Sequence, residues 1–280
     1  MADSQSEIYA QAYSTNIMQL AQQKYSKLLN TVYIKSNVKG KTFFQDQIGA
    51  WSMSVKGSRN VQTPNNDPAL ARRMGVMVDY HDNRMLDRGD ELKCISDPRS
   101  AYTIAAAASL GRKIDDVIID AAIAAAKSGE TGSTTVTNGN IVLATVASIT
   151  LARILAVKKA LDDKDVEPED RYFVTNTSFM QGLLDLTEAT SADYNSVKAL
   201  VRGELDTWMG FKWIVSTRLT SSGNIGLAYQ KYGLCLAMAD SPMVRTDERL
   251  DLSYSWQVYY ELNIGAVRLE EDKVVRVNEG

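Results

Sequence analysis

The chain has 280 residues, 45% hydrophobic and 23% charged, which is enough to bury a core in one large domain or two interleaved ones without covalent staples. Its 31 basic and 34 acidic residues leave a net charge of -3, which excludes the basic excess of a tight nucleic-acid or anionic-membrane binder. Two distant cysteines, Cys94 and Cys235, form no Cys-x-x-Cys pair and are expected as reduced thiols. The opening "MADSQSEIYAQAYS" lacks the basic and apolar regions of a secretory signal, and no stretch reaches the roughly 18 uninterrupted apolar residues of a membrane span. The expectation is a protein made and kept in a cytoplasm.

The first dozen residues are too polar to pack by themselves and are expected as an arm. The stretch "IMQLAQQKYSKLL" then places Ile17, Leu20, Ala21, Tyr25, Leu28 and Leu29 at helical spacing. In "IGAWSMSVKG", Trp51, Met53 and Val55 alternate with Ser52, Ser54 and Lys56, the period of a strand with one covered face. A polar tip with Gly57, Pro64 and Pro68 follows, and alternation returns at Val76, Val78 and Tyr80. Strand, tip and strand predict an extended ribbon, which is marginal in water unless it lies on something else. A neighbouring copy of the chain could supply that support.

Asp97 and Pro98 are suited to begin a long helix, with Asp97 as cap and Pro98 in the first turn. Ile114, Val117, Ile118, Ala121, Ala122 and Ala125 make one apolar stripe, while Arg112, Lys113, Asp115, Asp116 and Asp120 lie off it. Arg112 and Asp116 are at i,i+4 spacing. Unbroken from Pro98 to Lys127, such a helix would span about 45 Å. Gly111 would cost it about 1 kcal/mol relative to alanine, so it marks a bend or close packing. The composition break at 128–140, "SGETGSTTVTNGN", is expected as a loop and a domain crossing.

Beyond it the pattern is α/β. A helix carries Leu151, Ile154, Leu155 and Leu161, then come the acidic loop "DDKDVEPED", a strand "RYFVTN" and a helix "TSFMQGLLDL". A further helix is expected near 195–203 and a strand at "FKWIVST". From Ile225 onward the chain is mostly strand: "GLAYQKYGLCLAMA", "SYSWQVYYELNIGAVRL" and "KVVRV".

Chemistry-bearing patterns are scarce. With one histidine, His81 in "DYHDN", the only ligand cluster in sequence is Asp79, His81 and Asp82, of which Asp82 faces away on a strand. Asp116 and Asp120 share a helix face, yet Arg112 and Lys113 beside them favour a solvated or interface ion-pair face over acids at work. "GETGSTT" lacks the Lys-Ser/Thr ending of a phosphate loop, and neither GxGxxG nor GxSxG occurs in a fitting context. No catalytic residue, cofactor or metal is expected. Sizeable folded parts with an unsupported arm suggest a component of an assembly.

Three stretches together resemble the major capsid proteins of tailed bacteriophages: "LKCISDPRSAYTIAAAASLGRKIDDVIIDAA", "LVRGELDTWMGFKWIVSTRL" and "GAVRLEEDKVVRV", in that order and spacing. The resemblance covers roughly 40–277. It implies an α+β major capsid fold, shared with herpesvirus capsid floor domains and encapsulin nanocompartments. Its expected parts are an N-terminal arm and first helix (1–40), an extended β-ribbon loop (41–92), a peripheral domain with a spine helix (93–129 and 236–280) and an axial domain (130–235). It implies a head-shell subunit that assembles with itself into hexamers and pentamers of an icosahedral or prolate head around double-stranded DNA, without sequence-specific binding and without a membrane. A portal and decoration proteins are further expected partners. So is a separate scaffolding protein, unless the chain is already a mature form. Assembly is expected in the host bacterial cytoplasm. The candidate inter-subunit residues are Trp51, Arg59, Arg72 and Arg73 on the arm, and Arg112, Asp115, Asp116 and Asp120 on the helix. Lys56, Asn60, Asn65 and Asn66 are too ordinary for a loop to predict covalent cross-linking. The alternatives are a nanocompartment shell of the same fold and, from a different class, a soluble oligomeric enzyme using Asp116.

Overall fold

A computed structural model describes residues 22–86, 98–143, 150–185, 207–219 and 224–278. The expected helical residues Ile17, Leu20 and Ala21, the cap Asp97, Cys94 and the helix near 195–203 lie outside the described residues. The chain falls into two compact units, one drawing on 22–26, 80–86, 98–112 and 242–262 among the described residues, the other on the remainder.

The second unit is built on a six-stranded mixed sheet. Its strands are β7 (Ile141–Leu143), β8 (Arg171–Thr175), β9 (Thr207–Trp208), β10 (Phe211–Val215), β11 (Asn224–Gln230) and β15 (Val274–Asn278). They run in the order β7-β15-β11-β8-β10-β9. All five residues of β8 are buried, as its continuous run "RYFVT" requires of a central strand covered on both faces. Helix α2 (Leu151–Asp162) buries Ile154, Val157 and Leu161, and helix α3 (Thr177–Asp185) buries Phe179 and Leu183, all in one core with Phe173, Phe211 and Val275. Asn176 caps α3, its side-chain oxygen accepting from the Phe179 amide at 2.7 Å. Around Phe173, Trp213 stacks at 4.4 Å and Phe211 meets it edge-on at 5.6 Å. Met209 and Gly210, both with positive φ, make the two-residue turn between β9 and β10.

The expected ribbon exists but is displaced. Its strands are β2 (Thr42–Ile48) and β3 (Leu70–Val76), paired antiparallel from Thr42–Val76 to Ile48–Leu70. The stretch Trp51–Val55, expected as a strand with a covered face, is neither a strand nor covered. Nor is the ribbon's base unsupported. Ala126–Ser128 (β5) pairs with β3, and Thr134–Val136 (β6) pairs with β5, giving four strands. The stretch expected as a loop and crossing is therefore largely a hairpin. Gly75 is obligatory in this sheet: a Cβ there would come within 2.2 Å of the Phe43 ring.

A third sheet orders β1 (Tyr33–Lys35), β12 (Leu234–Met238), β14 (Ser255–Arg268) and β13 (Met243–Arg249) side by side, with β4 (Val78–Leu86) also paired to β14. The expected strands from Ile225 onward are all present, β12 and β14 here and β11 and β15 in the six-stranded sheet, and β13 is one that the sequence pattern did not mark. Residues 22–28, expected as the end of the first helix, carry no helix; a single 3-10 turn follows at Leu29–Thr31.

The long helix α1 spans Pro98–Ile123, about 39 Å at ~1.5 Å per residue, and stops four residues earlier than expected. The reason is at its end. Arg268, with no exposed surface, donates to the carbonyls of Ala122 (3.1 Å), Ala124 (2.7 Å) and Val136 (2.9 Å). Arg276 donates to Ile123 at 3.1 Å. Two guanidinium groups thus satisfy the helix's orphan carbonyls and its negative end, and the chain turns into β5. Ile114, Ile118 and Ala122 are buried as expected, joined by Ile119; Ala125 is exposed.

Candidate functional site

No catalytic constellation emerges from the groups considered in sequence. Asp79 accepts from the Asn263 side-chain amide, Asp82 accepts from the Tyr260 hydroxyl at 2.8 Å, and the His81 ring lies 6.5 Å from that of Tyr259. Among the described residues no group of three or more His, Cys, Asp or Glu side chains is placed to hold a metal ion. Cys235 is buried, and burial pushes its thiol up to about 11, so at neutral pH it is a packed, protonated side chain.

The aspartates of α1 do not act together. Asp115, expected on a solvated or interface ion-pair face, has no exposed surface; its two carboxylate oxygens accept from the backbone amides of Lys27 and Leu28, both at 3.1 Å. Successive main-chain N–H groups converge on the one carboxylate, as they do at anion-binding turns. Asp116 is held by a two-pronged pair with Arg218, at 2.7 and 2.6 Å, and Asp120 is exposed. The expected Arg112–Asp116 pair is replaced by other partners, since Arg112 donates to the Gln22 side chain at 2.8 Å and the Gln23 carbonyl at 3.1 Å. An enzyme built on Asp116 loses its premise, because that carboxylate is already engaged by a guanidinium.

On the arm, Arg73 corrects the sequence reading most. It is buried, donating to the Leu269 carbonyl at 2.9 Å and to Glu271 at 2.6 Å, so it ties β3 to its own fold and is no free contact residue. Arg72, on the other face, pairs with Asp46 at 2.5 Å and lies 5.5 Å over the Phe44 ring. That pairing holds the Asp46 carboxyl below its ordinary value. Arg59 is exposed near the tip.

The most unusual surface is the tip itself. Trp51, Met53 and Val55 are 70%, 100% and 96% exposed, with Ile48, Val61 and Leu70 also in solvent. The Gly49 amide closes the ladder on the Ala69 carbonyl at 2.7 Å, and from there to Leu70 no regular strand forms. Scattered apolar residues on a surface need no explanation, but six on one loop do. Met53, Val55, Ile48, Val61 and Leu70 were not singled out as contact residues from sequence; the signal was there, in an alternation that finds no cover among the described residues. A second exposed group, Leu250, Leu252 and Tyr254, caps the β13–β14 hairpin and was not marked by any sequence pattern.

Comparison with known proteins supplies the family and the fold. No curated protein matches the chain. Among solved structures it is similar to the capsid of Cyanophage P-SCSP1u, with a TM-score of 0.81, 16% identity and coverage of 100% of this chain and 95% of that one. It is also similar to the capsid of a native GTA particle (TM-score 0.76, 12% identity, 100% and 98% covered) and to a chain of Mycobacterium phage Che8 (0.74, 17%, 96% and 97%). At these identities the likeness establishes the fold, an α+β major capsid fold, and a family match over residues 6–279 carries the rest. The chain belongs to the Phage capsid protein family: it is a major capsid protein, a structural and non-enzymatic subunit that assembles with copies of itself into the shell of a phage head.

Proposed function

We propose that this subunit closes its shell as hexamers and pentamers around double-stranded DNA, and that the tip of the β2–β3 ribbon is the element that lies on an adjacent copy. The observation carrying this reading is the exposure of Trp51, Met53 and Val55 at the end of a ribbon whose base is fully supported. Rings need heterologous interfaces, with a projecting surface on one side and a receiving surface on the other. Contacts that are individually modest add up in a closed shell. The net charge of -3 fits a container that holds DNA without gripping its phosphates.

On this reading the peripheral domain takes 93–129 and 236–280 and the axial domain 130–235. The closing strand β15 is shared, since it pairs with β7 and β11 in the six-stranded sheet. Trp51, Arg59, Arg72 and Asp120 remain the inter-subunit candidates with exposed surface. Scaffolding, portal and decoration proteins complete the partner set, and assembly takes place in the host bacterial cytoplasm. Deleting about residues 58–70 and closing the gap with a short flexible link tests the proposal. Electron microscopy of the intact protein, with a scaffold where one is needed, should show shells or capsomers. The deletion should give a folded, unassembled subunit, and shells indistinguishable from the intact protein's would refute the role of the tip.

A further inference from the structure

Both strands of the ribbon meet the turn between β14 and β15 at a single oxygen. Gln47 on β2 donates its side-chain amide to the Leu269 carbonyl at 2.8 Å, and Arg73 on β3 donates its Nε to the same carbonyl at 2.9 Å. Gln47 stands opposite Ala71 in the ladder and Arg73 lies two residues on, so both side chains leave one face of the ribbon. Arg73 also reaches Glu271, at 2.6 Å. Nearer the base the same face is held by packing, with the buried Phe43 ring lying over Gly75. Between Ile48 and Ala71, the hydrogen bonds of the ribbon among the described residues are with itself, ending in the Gly49–Ala69 bond and the Asn66–Ser54 contact at 3.4 Å.

The turn that receives these donors is fixed from other sides. The Leu269 amide donates to the Gly233 carbonyl at 2.9 Å, the Asn140 side chain to the Glu271 carbonyl at 2.9 Å, and the Gln230 amide to the Lys273 carbonyl at 3.1 Å. Glu271 lies 3.5 Å from Arg268, which is itself buried against the end of α1. A carbonyl oxygen has two lone pairs and accepts both donors, and the guanidinium–carboxylate bond is the stronger, charge-assisted kind. A ribbon tied through each of its strands to one fixed point cannot roll or lift there without breaking the bonds of both side chains.

We propose that Gln47 and Arg73 are positioning residues for assembly, clasping the Leu269 carbonyl and Glu271 and so setting the direction in which the ribbon carries its exposed tip. The clasp sets that direction within one subunit, before a second copy is met, so less conformational freedom is lost when the contact forms. The effect on assembly rests on the reading of the tip as the contact with an adjacent copy; the aiming of the ribbon does not.

Pulsed electron paramagnetic resonance on the full-length chain tests the aiming. Nitroxide labels go on Leu70→Cys, at the exposed end of the ladder, and on Lys159→Cys, exposed on α2, in a Cys94→Ser background that keeps the buried Cys235. Unassembled labelled chain is diluted into unlabelled chain, so that only distances within one copy are read. Arg73→Met should widen the distance distribution by about two-fold and Gln47→Leu by about 1.5-fold, since each loosens a local hold. Gln47→Leu is the gentler variant, because Arg73 still donates to the Leu269 carbonyl, and its thermal midpoint should stay as in the parent. Without the labels, Arg73→Met should also slow shell formation by about ten-fold. Where Arg73→Met does not fold, Gln47→Leu decides alone. A distribution as narrow as the parent's in the folded variants would overturn the proposal. Wider distributions with shells forming at the parent's rate would overturn the role in assembly. Normal shells from the 58–70 deletion would instead count against the tip as the contact, and leave the widening to stand.

Discussion

The sheet around Phe173 and the tip around Met53 are both rich in apolar side chains, yet Phe173 has no exposed surface and Met53 is 100% exposed. Around Phe173, α2, α3, β10 and β11 all come from the same chain, so Ile154, Phe179, Phe211 and Ala228 pack into one core with it. The tip has the same kind of residues in a strand-like alternation, but among the described residues no strand reaches past the Gly49–Ala69 bond. Hydrophobic burial acts wherever cover is available. On the proposed function part of that cover belongs to another copy, and the difference between the two regions is what that reading explains.

The comparison breaks most visibly in the core. Phe173→Ala should lower the unfolding free energy by about 3–5 kcal/mol, by the usual cost of a large cavity. Chemical denaturation checks this, and a loss under about 1 kcal/mol would show that the sheet tolerates gaps as the tip does. Arg268→Met comes next, at about 3 kcal/mol, because it strips the donor from the buried Ala122 carbonyl and from the partly buried carbonyls of Ala124 and Val136. Gly265→Ala should cost about 1–3 kcal/mol. Its Cβ would approach the Val76 carbonyl oxygen to 2.2 Å, a backbone atom that cannot step aside cheaply. A thermal midpoint equal to the parent's would contradict that geometry.

Cys235 sharpens the same contrast through pH. Its thiol is raised by burial from 9.0 to about 11, so its protonated form stabilises the fold fully below about pH 9, and that contribution is lost between about pH 9 and 11. Denaturation across that window should show the decline, and Cys235→Ser should flatten it; an identical slope in both proteins would assign the loss to other groups. The smallest effect is expected at the tip. Trp51→Ser should move subunit stability by less than about 0.5 kcal/mol while impairing assembly, measured by sedimentation of shells. A large loss of subunit stability would mean that the tip is covered by its own chain after all.

Periodicity made most of the strands and helices legible. Leu161 and Ile154 at helical spacing, the unbroken "RYFVT" and the long closing strands all follow from side chains that face a core made by neighbours of the same chain. Where the reading failed, a distant partner intervened. The end of α1 is set by Arg268 and Arg276, more than 140 residues away in sequence, and no local pattern announces them. Asp115 reads as one charge in a polar stripe until residues 27–28 arrive to satisfy it, and Arg73 reads as an exposed arm residue until Glu271 does. β5 and β6 are three residues each, shorter than any period can reveal.

By itself the sequence determined the absence of a recognisable catalytic pattern, the long alanine-rich helix, the α/β pattern after it, the existence of a projecting arm and the resemblance to a family of shell subunits. These depend on residue type and spacing along the chain, which folding does not alter. The tertiary structure decided which charges are spent inside the subunit and which face outward, where the ribbon ends and its tip begins, and where α1 stops. Those are matters of approach between segments far apart in sequence, and only the assembled backbone brings a carbonyl to Arg268 or the 27–28 amides to Asp115.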